Sequence, residues 1–316
     1  MIQTQQKKQN IFQVKFFVIL FATISAVTWA SAFPLIKIGF REFQITSADT
    51  GAKALFAGIR FFMAGIVTLV IAKFMNRKIK IKTKQEIGWL VLFGLVNTTL
   101  HYFFFYMGLS YASGSRSAIF DSLGTFFLII LACICFKEEH MTWRKVIGCL
   151  LGFGGVVLIN IGNGSVGAEG GNLLGEGMLL LSAICSAFGG IITRIVTKKT
   201  DPLAATGISL AFGGAMLVLA GVMMGGNLKK ITPAGLFVLF LLIFVSAIGF
   251  SLYNQLICYN PVGEIAIFNS FIPILGAILS CVILGEKFMV KYLAAGIMVV
   301  TGVYVVHHKT GNNNIN

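Results

Sequence analysis

The sequence has few charged residues: 11% of its 316 residues are Asp, Glu, Lys or Arg, whereas 57% are hydrophobic. Soluble domains carry about 25% charged residues, more than twice this share. With a mean hydropathy of +0.88, the chain is too apolar for an ordinary water-soluble domain. The composition therefore excludes a soluble enzyme or nucleic-acid-binding domain and indicates a membrane protein.

The motifs that hold cofactors are also missing. No Gly-Lys-Ser sequence that would bind a nucleotide occurs, and the six cysteines show no metal-ligand spacing. The chain has neither a His-Glu-x-x-His zinc motif nor a Gly-x-Ser-x-Gly nucleophile elbow. We therefore predict no cofactor and no metal site, and an intramembrane enzyme becomes the least favoured interpretation.

Long apolar runs occupy most of the chain. A run of about 20 apolar residues crosses a bilayer as a helix, because lipid offers backbone groups no hydrogen-bond partners. We predict an all-α integral membrane fold of ten transmembrane helices, at 16–39, 54–73, 87–108, 113–136, 144–161, 172–195, 203–225, 235–257, 263–284 and 289–307.

The first run has an alternative interpretation. Lysines followed by an apolar run and by Ala30-Ser31-Ala32 are typical of a cleavable signal peptide. However, residues 25–38 align with residues 182–195, which pairs Lys37 with Arg194. We therefore retain the run as the first helix.

The chain contains an internal repeat. Residues 118–158 match residues 266–306 at an offset of 148, with 12 of 41 positions identical. Apolar composition alone gives roughly three or four identities, so the match indicates a duplication. Five helices per half is an odd number, which predicts two inverted repeats around a central cavity. The domains are a tail, two repeats and a second tail, at 1–15, 16–161, 172–307 and 308–316.

The net charge of +14 fits a membrane topology. With the N-terminus inside, 16 of the 25 Lys and Arg residues fall at inner helix ends, which places both termini in the cytoplasm of a cell (plasma) membrane protein. The basic run at residues 78–84 has no interleaved aromatic residues to stack on bases. We therefore expect the lipid bilayer, and no nucleic acid, as its partner.

The ordered set of motifs resembles the EamA-type family of the drug/metabolite transporter superfamily. The resemblance rests on Trp29–Lys37, Gly58–Phe62, the acidic residues Glu138 and Glu286, and Gly171–Leu174. It covers nearly the whole chain. It implies ten helices in two inverted repeats, a central substrate cavity and alternating access. The chain departs from the family pattern at Thr125, where a proline is usual, and at Asp121.

Ionisable residues inside a membrane helix are the first candidates for a site, because they are costly in lipid. Asp121 shares a face of the fourth helix with Ser117 and Thr125. It could bind an amine, carry a coupling proton, or pair with an arginine. Arg60 and Arg116 could each be that partner, clamp a substrate carboxylate, or extend to the outer interface, which we favour for Arg116.

The third helix contributes His101 and Tyr102. His101 shares a face with Asn97 and Phe105, and it could titrate during transport, bind a substrate, or simply pack. The repeat then points to the second half, since Asp121 corresponds to Asn269 and Tyr106 to Asn254. The predicted substrate-binding residues are therefore Trp29, Arg60, His101, Tyr102, Asp121, Tyr253, Asn254 and Asn269, with Trp29 as an aromatic wall or a lipid-facing residue.

These observations favour a secondary active transporter, because no nucleotide motif supplies energy. We predict that it exports a small polar metabolite such as an amino acid or amine, as a monomer or homodimer. Asp121 or His101 would carry a coupling proton. The alternative is a passive uniporter or channel-like facilitator, which the same cavity could serve.

Overall fold

The structure is a computed structural model that describes residues 10–77, 83–137, 140–160, 172–260, 265, 268–269 and 271–307. Over these ranges the regular elements are all helical, with no strand. Predictions that concern Glu138 or the C-terminal tail fall outside them. After a 3-10 turn at Ile11–Gln13, the helices are α1 (Lys15–Glu42), α2 (Thr50–Phe74), α3 (Lys84–Phe93), α4 (His101–Tyr111), α5 (Gly114–Asp121), α6 (Leu123–Cys135), α7 (Trp143–Asn160), α8 (Leu173–Val196), α9 (Pro202–Met223), α10 (Pro233–Tyr259), α11 (Ile272–Leu284) and α12 (Val290–His307).

Seven helical segments among the described residues are long and apolar enough to cross a membrane, and α11 and α12 are shorter apolar helices. Many large hydrophobic side chains on the outside of the bundle are exposed, among them Phe74, Trp143 and Val282. Such a surface is unfavourable in water and favourable against lipid tails. The chain is therefore a multi-pass membrane protein.

Local sequence sets the helix starts. Pro202 and Pro233 occupy the first turns of α9 and α10, where a missing backbone N–H costs nothing. Asp201 accepts hydrogen bonds from two backbone N–H groups of α9, and Thr232 and Ser113 cap α10 and α5 in the same way. These caps fix where each chain segment turns back into the membrane.

Two of the predicted helices are interrupted. Between α3 and α4 the residues Gly94–Leu100 form a π-helical segment. The Thr98 and Thr99 hydroxyls there bond to Ser209 and to the Gly213 carbonyl of α9, which stabilises the wider turn. In the fourth predicted helix Ser122 separates α5 from α6, and its hydroxyl bonds back to the Ile119 carbonyl. Ser122 keeps right-handed helical backbone angles, φ −60° and ψ −21°, and Gly114–Cys135 still forms one apolar span, so the shared face of Ser117, Asp121 and Thr125 stays a prediction.

Helices α2 and α9 pack closely and antiparallel. A Cβ on Gly65 would lie 2.2 Å from the Ala211 nitrogen, and one on Gly214 would lie 2.2 Å from the Phe62 nitrogen. Only glycine allows the two backbones to approach this far, as is typical of helix pairs in lipid. The α2–α9 pair also contacts α3, α4, α10 and the π-helical segment.

The remaining helices form further contacts with one another. Helix α1 contacts α10 and α11, α4 contacts α8, and α7 contacts α12. The largest buried cluster draws aromatic side chains from α1, α2 and α4, including Phe33, Phe56 and Tyr106. Helices from both halves therefore converge on one interior, which holds the polar side chains described next.

Candidate functional site

Arg60 lies in the interior of the bundle and is 3% exposed. Its Nε atom donates to the Ser246 hydroxyl at 2.8 Å and to the Leu242 carbonyl at 3.2 Å, and its Nη1 atom donates to the Tyr106 hydroxyl at 2.9 Å. These bonds connect α2 to α10 and α4. They rule out the interpretation in which Arg60 extends to the membrane interface.

Tyr102 lies near both Arg60 and Asp121. Its hydroxyl is within electrostatic range of Arg60, Asp121 and Tyr106. Its ring packs on Phe61 with the centroids 3.9 Å apart, and the Arg60 guanidinium lies 4.8 Å from the same Phe61 ring. Aromatic contacts of this kind hold both polar groups in place. We call Arg60, Tyr102 and Asp121 the charged site.

Asp121 is the last residue of α5 and is half-buried. Among the residues that the structure describes, no side chain or backbone group donates a hydrogen bond to its carboxylate or forms an ion pair with it. The carboxylate has lost much of its water and has gained no protein partner, which is costly. Such a group is a candidate for binding a ligand or a proton.

His101 begins α4, directly after the π-helical segment. It is 8% exposed, its ring lies 4.3 Å from that of Tyr102, and it stacks with Phe105 at 6.3 Å. Its Nδ1 atom is buried and has no hydrogen-bond partner within the described ranges. The structure therefore places His101 beside the charged site.

Trp29 and Tyr253 face each other across α1 and α10. Their rings are 4.9 Å apart, and Phe250 lies 5.1 Å from Trp29. A Cβ on Gly249 would lie 2.7 Å from Trp29 Nε1, so this glycine lets the indole rest on the backbone of α10. We call Trp29, Phe250 and Tyr253 the aromatic wall, and Trp29 is therefore not a lipid-facing residue.

The two asparagines differ in their surroundings. Asn269 lies within hydrogen-bonding range of the Tyr253 hydroxyl and so adjoins the aromatic wall. Asn254 is buried and donates to the Thr206 hydroxyl of α9. The structure therefore brings Asn269 to the aromatic wall and turns Asn254 towards α9. The interior contacts link seven of the eight predicted residues into one region.

Sequence reasoning missed Ser246 and Phe250. Ser246 accepts the Arg60 hydrogen bond, and Phe250 connects Tyr102 to Trp29. Both residues lie on α10 at a spacing of four, and Tyr253 follows three residues later. A helical-face analysis of α10 starting from Tyr253 would have found them.

Other charged side chains hold the ends of the helices together. Arg116 is 2% exposed and forms an ion pair with Glu176 of α8. The prediction that Arg116 extends to the outer interface is therefore wrong, because Glu176 supplies a buried partner. Glu286 accepts hydrogen bonds from the Gly114 and Ser115 nitrogens, at 2.7 and 3.1 Å, and from the Ser115 hydroxyl at 2.7 Å. It thereby caps α5.

A helical bundle with an apolar exterior and a few ionisable side chains in its interior is typical of multi-pass membrane proteins. The model of the EamA-like transporter family matches residues 16–161 and 173–307, and the chain belongs to this family. The family indicates a transporter rather than an enzyme.

Relatives with transporter names cover most of the chain. The uncharacterized transporter YvbV of Bacillus subtilis is 28% identical over 81% of this chain and 83% of its own length. An uncharacterized transporter of Archaeoglobus fulgidus is 24% identical over 90% of this chain and 97% of its own length. A solved crystal structure, 14% identical, covers 91% of this chain and 95% of its own with a TM-score of 0.65, which shows the same fold.

Proposed function

We propose that the protein is a secondary active transporter that exports a small polar metabolite, such as an amino acid or an amine, across the cell membrane. The observation that carries this proposal is the charged site. An arginine and an aspartate lie inside an apolar bundle, and neither is in an ion pair with the other or with any other described residue. Intramembrane ionisable groups of this kind mark substrate and proton pathways in transporters.

The proposed mechanism is alternating access by two inverted repeats of five helices each. Helix pairings support it, because exchanging the two halves turns the α1–α10 contact into the α8–α4 contact. The same exchange converts the α2–α9 pair into itself. Each helix approaches the other closely at a corresponding glycine, Gly65 in α2 and Gly214 in α9. Rocking of one repeat against the other around the charged site would expose it to each side in turn.

Export with proton coupling completes the proposal. Asp121 is the proposed proton carrier, with His101 as a second candidate, and both termini are cytoplasmic. The inner-end lysines and arginines support this orientation. Absence of a nucleotide motif supports a gradient as the energy source.

The test uses purified protein in two steps. A thermal-shift screen against a metabolite panel identifies ligands, and uptake into liposomes with an imposed proton gradient then measures transport. We expect gradient-driven accumulation that Asp121→Asn abolishes, while Asp49→Asn, which removes an exposed carboxylate, leaves it intact. Equilibration of the ligand without any response to a proton or sodium gradient would instead establish a passive uniporter.

A further inference from the structure

The turn between α4 and α5 is held by charged side chains from three other parts of the bundle. Lys53 of α2 is buried and donates to the Ser110 hydroxyl, at the end of α4, at 3.0 Å. Glu286, two residues after α11, accepts three hydrogen bonds from the first residues of α5. Arg116 of α5 pairs with Glu176 of α8. The last two contacts join the first family segment to the second.

The Glu286 contact closes a tight seam between α5 and α11. Ser115 is fully buried, and its hydroxyl lies 2.7 Å from the Glu286 carboxylate and 3.5 Å from the Cys281 sulfur. About one turn further along α5, Ala118 is 1% exposed, and its Cβ lies 2.9 Å from a Cβ built on Gly276 of α11. A carboxylate makes stronger hydrogen bonds than a neutral acceptor, so one side chain fixes this end of the seam.

A buried aromatic layer lies between the α4–α5 turn and Tyr102. Along α4, Tyr102, Tyr106 and Ser110 follow one another at intervals of four residues, about one helical turn each. Tyr106 is 0% exposed and packs on the rings of Phe56 and Phe40, with centroids 6.1 and 5.8 Å away, whereas Tyr102 keeps partial exposure. The layer therefore closes the path along α4 from the turn to Tyr102.

The corresponding turn of the second half is held differently. At the repeat offset of 148, Tyr111 corresponds to Tyr259 and Ala112 to Asn260. The Asn260 amide donates to the Phe12 carbonyl at 2.7 Å, and the Tyr259 ring stacks on that of Phe12 at 6.1 Å. These contacts are neutral. Inverted repeats place the two corresponding turns at opposite ends of a bundle, so the charged contacts belong to one end only.

We infer that the α4–α5 turn is a gate of the transport pathway, closed in this structure, and that the Glu286 carboxylate is its latch. This inference rests on the proposed function and names contacts that break at one end of the bundle in each transport cycle. Release of Glu286 separates α5 from α11 and uncovers Ala118. The contacts can break reversibly, because each hydrogen bond is exchanged for hydrogen bonds to water.

The first experiment measures opening of the seam without a substrate. All native cysteines are replaced by serine, and Ala118→Cys supplies one thiol inside the seam. Its rate of reaction with N-ethylmaleimide is measured on the full-length protein in nanodiscs. Glu286→Ala is expected to raise this rate about tenfold, because loss of a helix cap makes local opening more frequent. Glu286→Gln is expected to raise it less, since one acceptor oxygen remains.

A second reporter separates opening of the seam from general loosening of the bundle. Ala205→Cys places the thiol in α9, within a separate buried cluster that includes Leu90 and Phe93, and Ala205 is also 0% exposed. Its reaction rate should not respond to either substitution at Glu286. Equal acceleration of both reporters, or no acceleration of Ala118→Cys, would overturn the role of Glu286 as a latch.

The second experiment locks the seam while Glu286 stays unchanged. Ser115→Cys is introduced into a chain that keeps Cys281 and has serine at the other native cysteines, so that two thiols lie where the Ser115 oxygen and the Cys281 sulfur are 3.5 Å apart. Diamide oxidises the two thiols to a disulfide and takes up their two hydrogen atoms, and dithiothreitol reverses this step. Gradient-driven flux of a ligand from the metabolite panel should be lost on oxidation and return on reduction. The parent chain with Ser115 should keep its flux in diamide.

The outcomes separate this inference from the proposed function. Failure of the two thiols to cross-link would contradict the closed seam, and full flux after complete cross-linking would contradict the gate. Absence of flux for every ligand of the panel in the wild type would overturn the proposed function instead. The labelling rates would then still decide whether Glu286 holds the seam shut.

Discussion

The two segments that match the family model differ at positions where interior polar groups correspond. Arg60 in the first segment aligns with Ser209 in the second, and Asp121 aligns with Asn269. Ser209 pairs with the Thr98 hydroxyl at 3.1 Å, and Asn269 lies beside Tyr253. At these two positions the second segment therefore has neutral side chains beside polar neighbours, whereas the first has two charged side chains that form no ion pair within the described ranges.

This difference indicates which positions of a duplicated bundle can diverge to give selectivity for a ligand. The helix–helix seams depend on small residues in both segments, such as Gly65 and Gly214, and they tolerate little divergence. Interior polar positions carry no such packing demand, so they can diverge. A ligand with two different ends requires a site whose two sides differ.

The largest expected effect is the loss of transport when Asp121 is replaced by the residue at the corresponding position of the second segment. Asp121→Asn installs the residue that the second segment has at Asn269, and we expect it to abolish proton-driven transport because no carboxylate remains to bind a proton or cation. Liposome uptake with an imposed gradient measures this loss. Asp49→Asn is the matched control, and full activity of Asp121→Asn would contradict the role assigned to Asp121.

The next effect tests whether the two segments contribute equally to the α2–α9 seam. Gly65→Ala and Gly214→Ala each place a Cβ 2.2 Å from a backbone nitrogen of the partner helix. We expect each to lower the free energy of unfolding by about 1–3 kcal/mol, the usual cost of overpacking. Unfolding of each variant in detergent measures this change in the free energy of unfolding. Gly177→Ala is the matched control, since nothing lies within 4 Å of a Cβ built there. A large difference in the free energy of unfolding between Gly65→Ala and Gly214→Ala would refute equal contributions.

A smaller effect is expected at the cap that joins the two segments. Glu286 of the second segment accepts three hydrogen bonds from Gly114 and Ser115 of the first. Glu286→Ala should cost about 0.5–2 kcal/mol, as for loss of other helix caps. Glu286→Gln should cost less, because it keeps one acceptor oxygen. Thermal unfolding of both variants measures this loss of stability. An unchanged melting temperature for Glu286→Ala would show that the cap contributes nothing to stability.

The smallest effect concerns the loop before α2. Hydrogen bonds from the Thr46 hydroxyl and backbone hold the pKa of Asp49 below its usual value, with a further contribution from Lys229. A lowered folded-state pKa stabilises the fold above the pKa of the unfolded chain, about 3.9, and the contribution is lost as the pH falls. Wild type should therefore melt slightly above Asp49→Asn at neutral pH and converge with it in acid. Melting curves against pH test this, and a constant difference would contradict it.

Much of the fold could be predicted from the sequence because apolar runs and caps are local. The starts of α9 and α10 follow from Asp201-Pro202 and Thr232-Pro233. The π-helical segment could not be predicted, since it depends on packing against another helix. The Thr98 and Thr99 hydroxyls, for example, bond to α9, more than a hundred residues away.

The candidate site was predictable in its residues but not in its connections. The cost of an ionisable group in lipid identified Asp121 and Arg60 from the sequence alone. The pairing of Arg60 with Ser246 and of Arg116 with Glu176 could not be inferred, because the partners lie 186 and 60 residues away in the chain, even though Ser246 itself lies on the same face of α10 as Tyr253. Asn254 was placed at the site through the repeat, and its hydrogen bond to Thr206 shows that corresponding positions need not share surroundings.

The π-helical segment at Gly94–Leu100 also sets a rule for insertions and deletions in this chain. Each residue of an α-helix turns the chain by about 100°, and a π-helical turn accommodates one residue more than an α-helical turn. Deleting one codon here would let the segment relax to a regular helix and leave α4 facing nearly the same way, because only the extra residue is removed. Deleting one codon in α3 instead would rotate all of α4 by about a quarter turn relative to the start of the helix, and His101, Tyr102 and Tyr106 would leave the interior together although none of them had been altered.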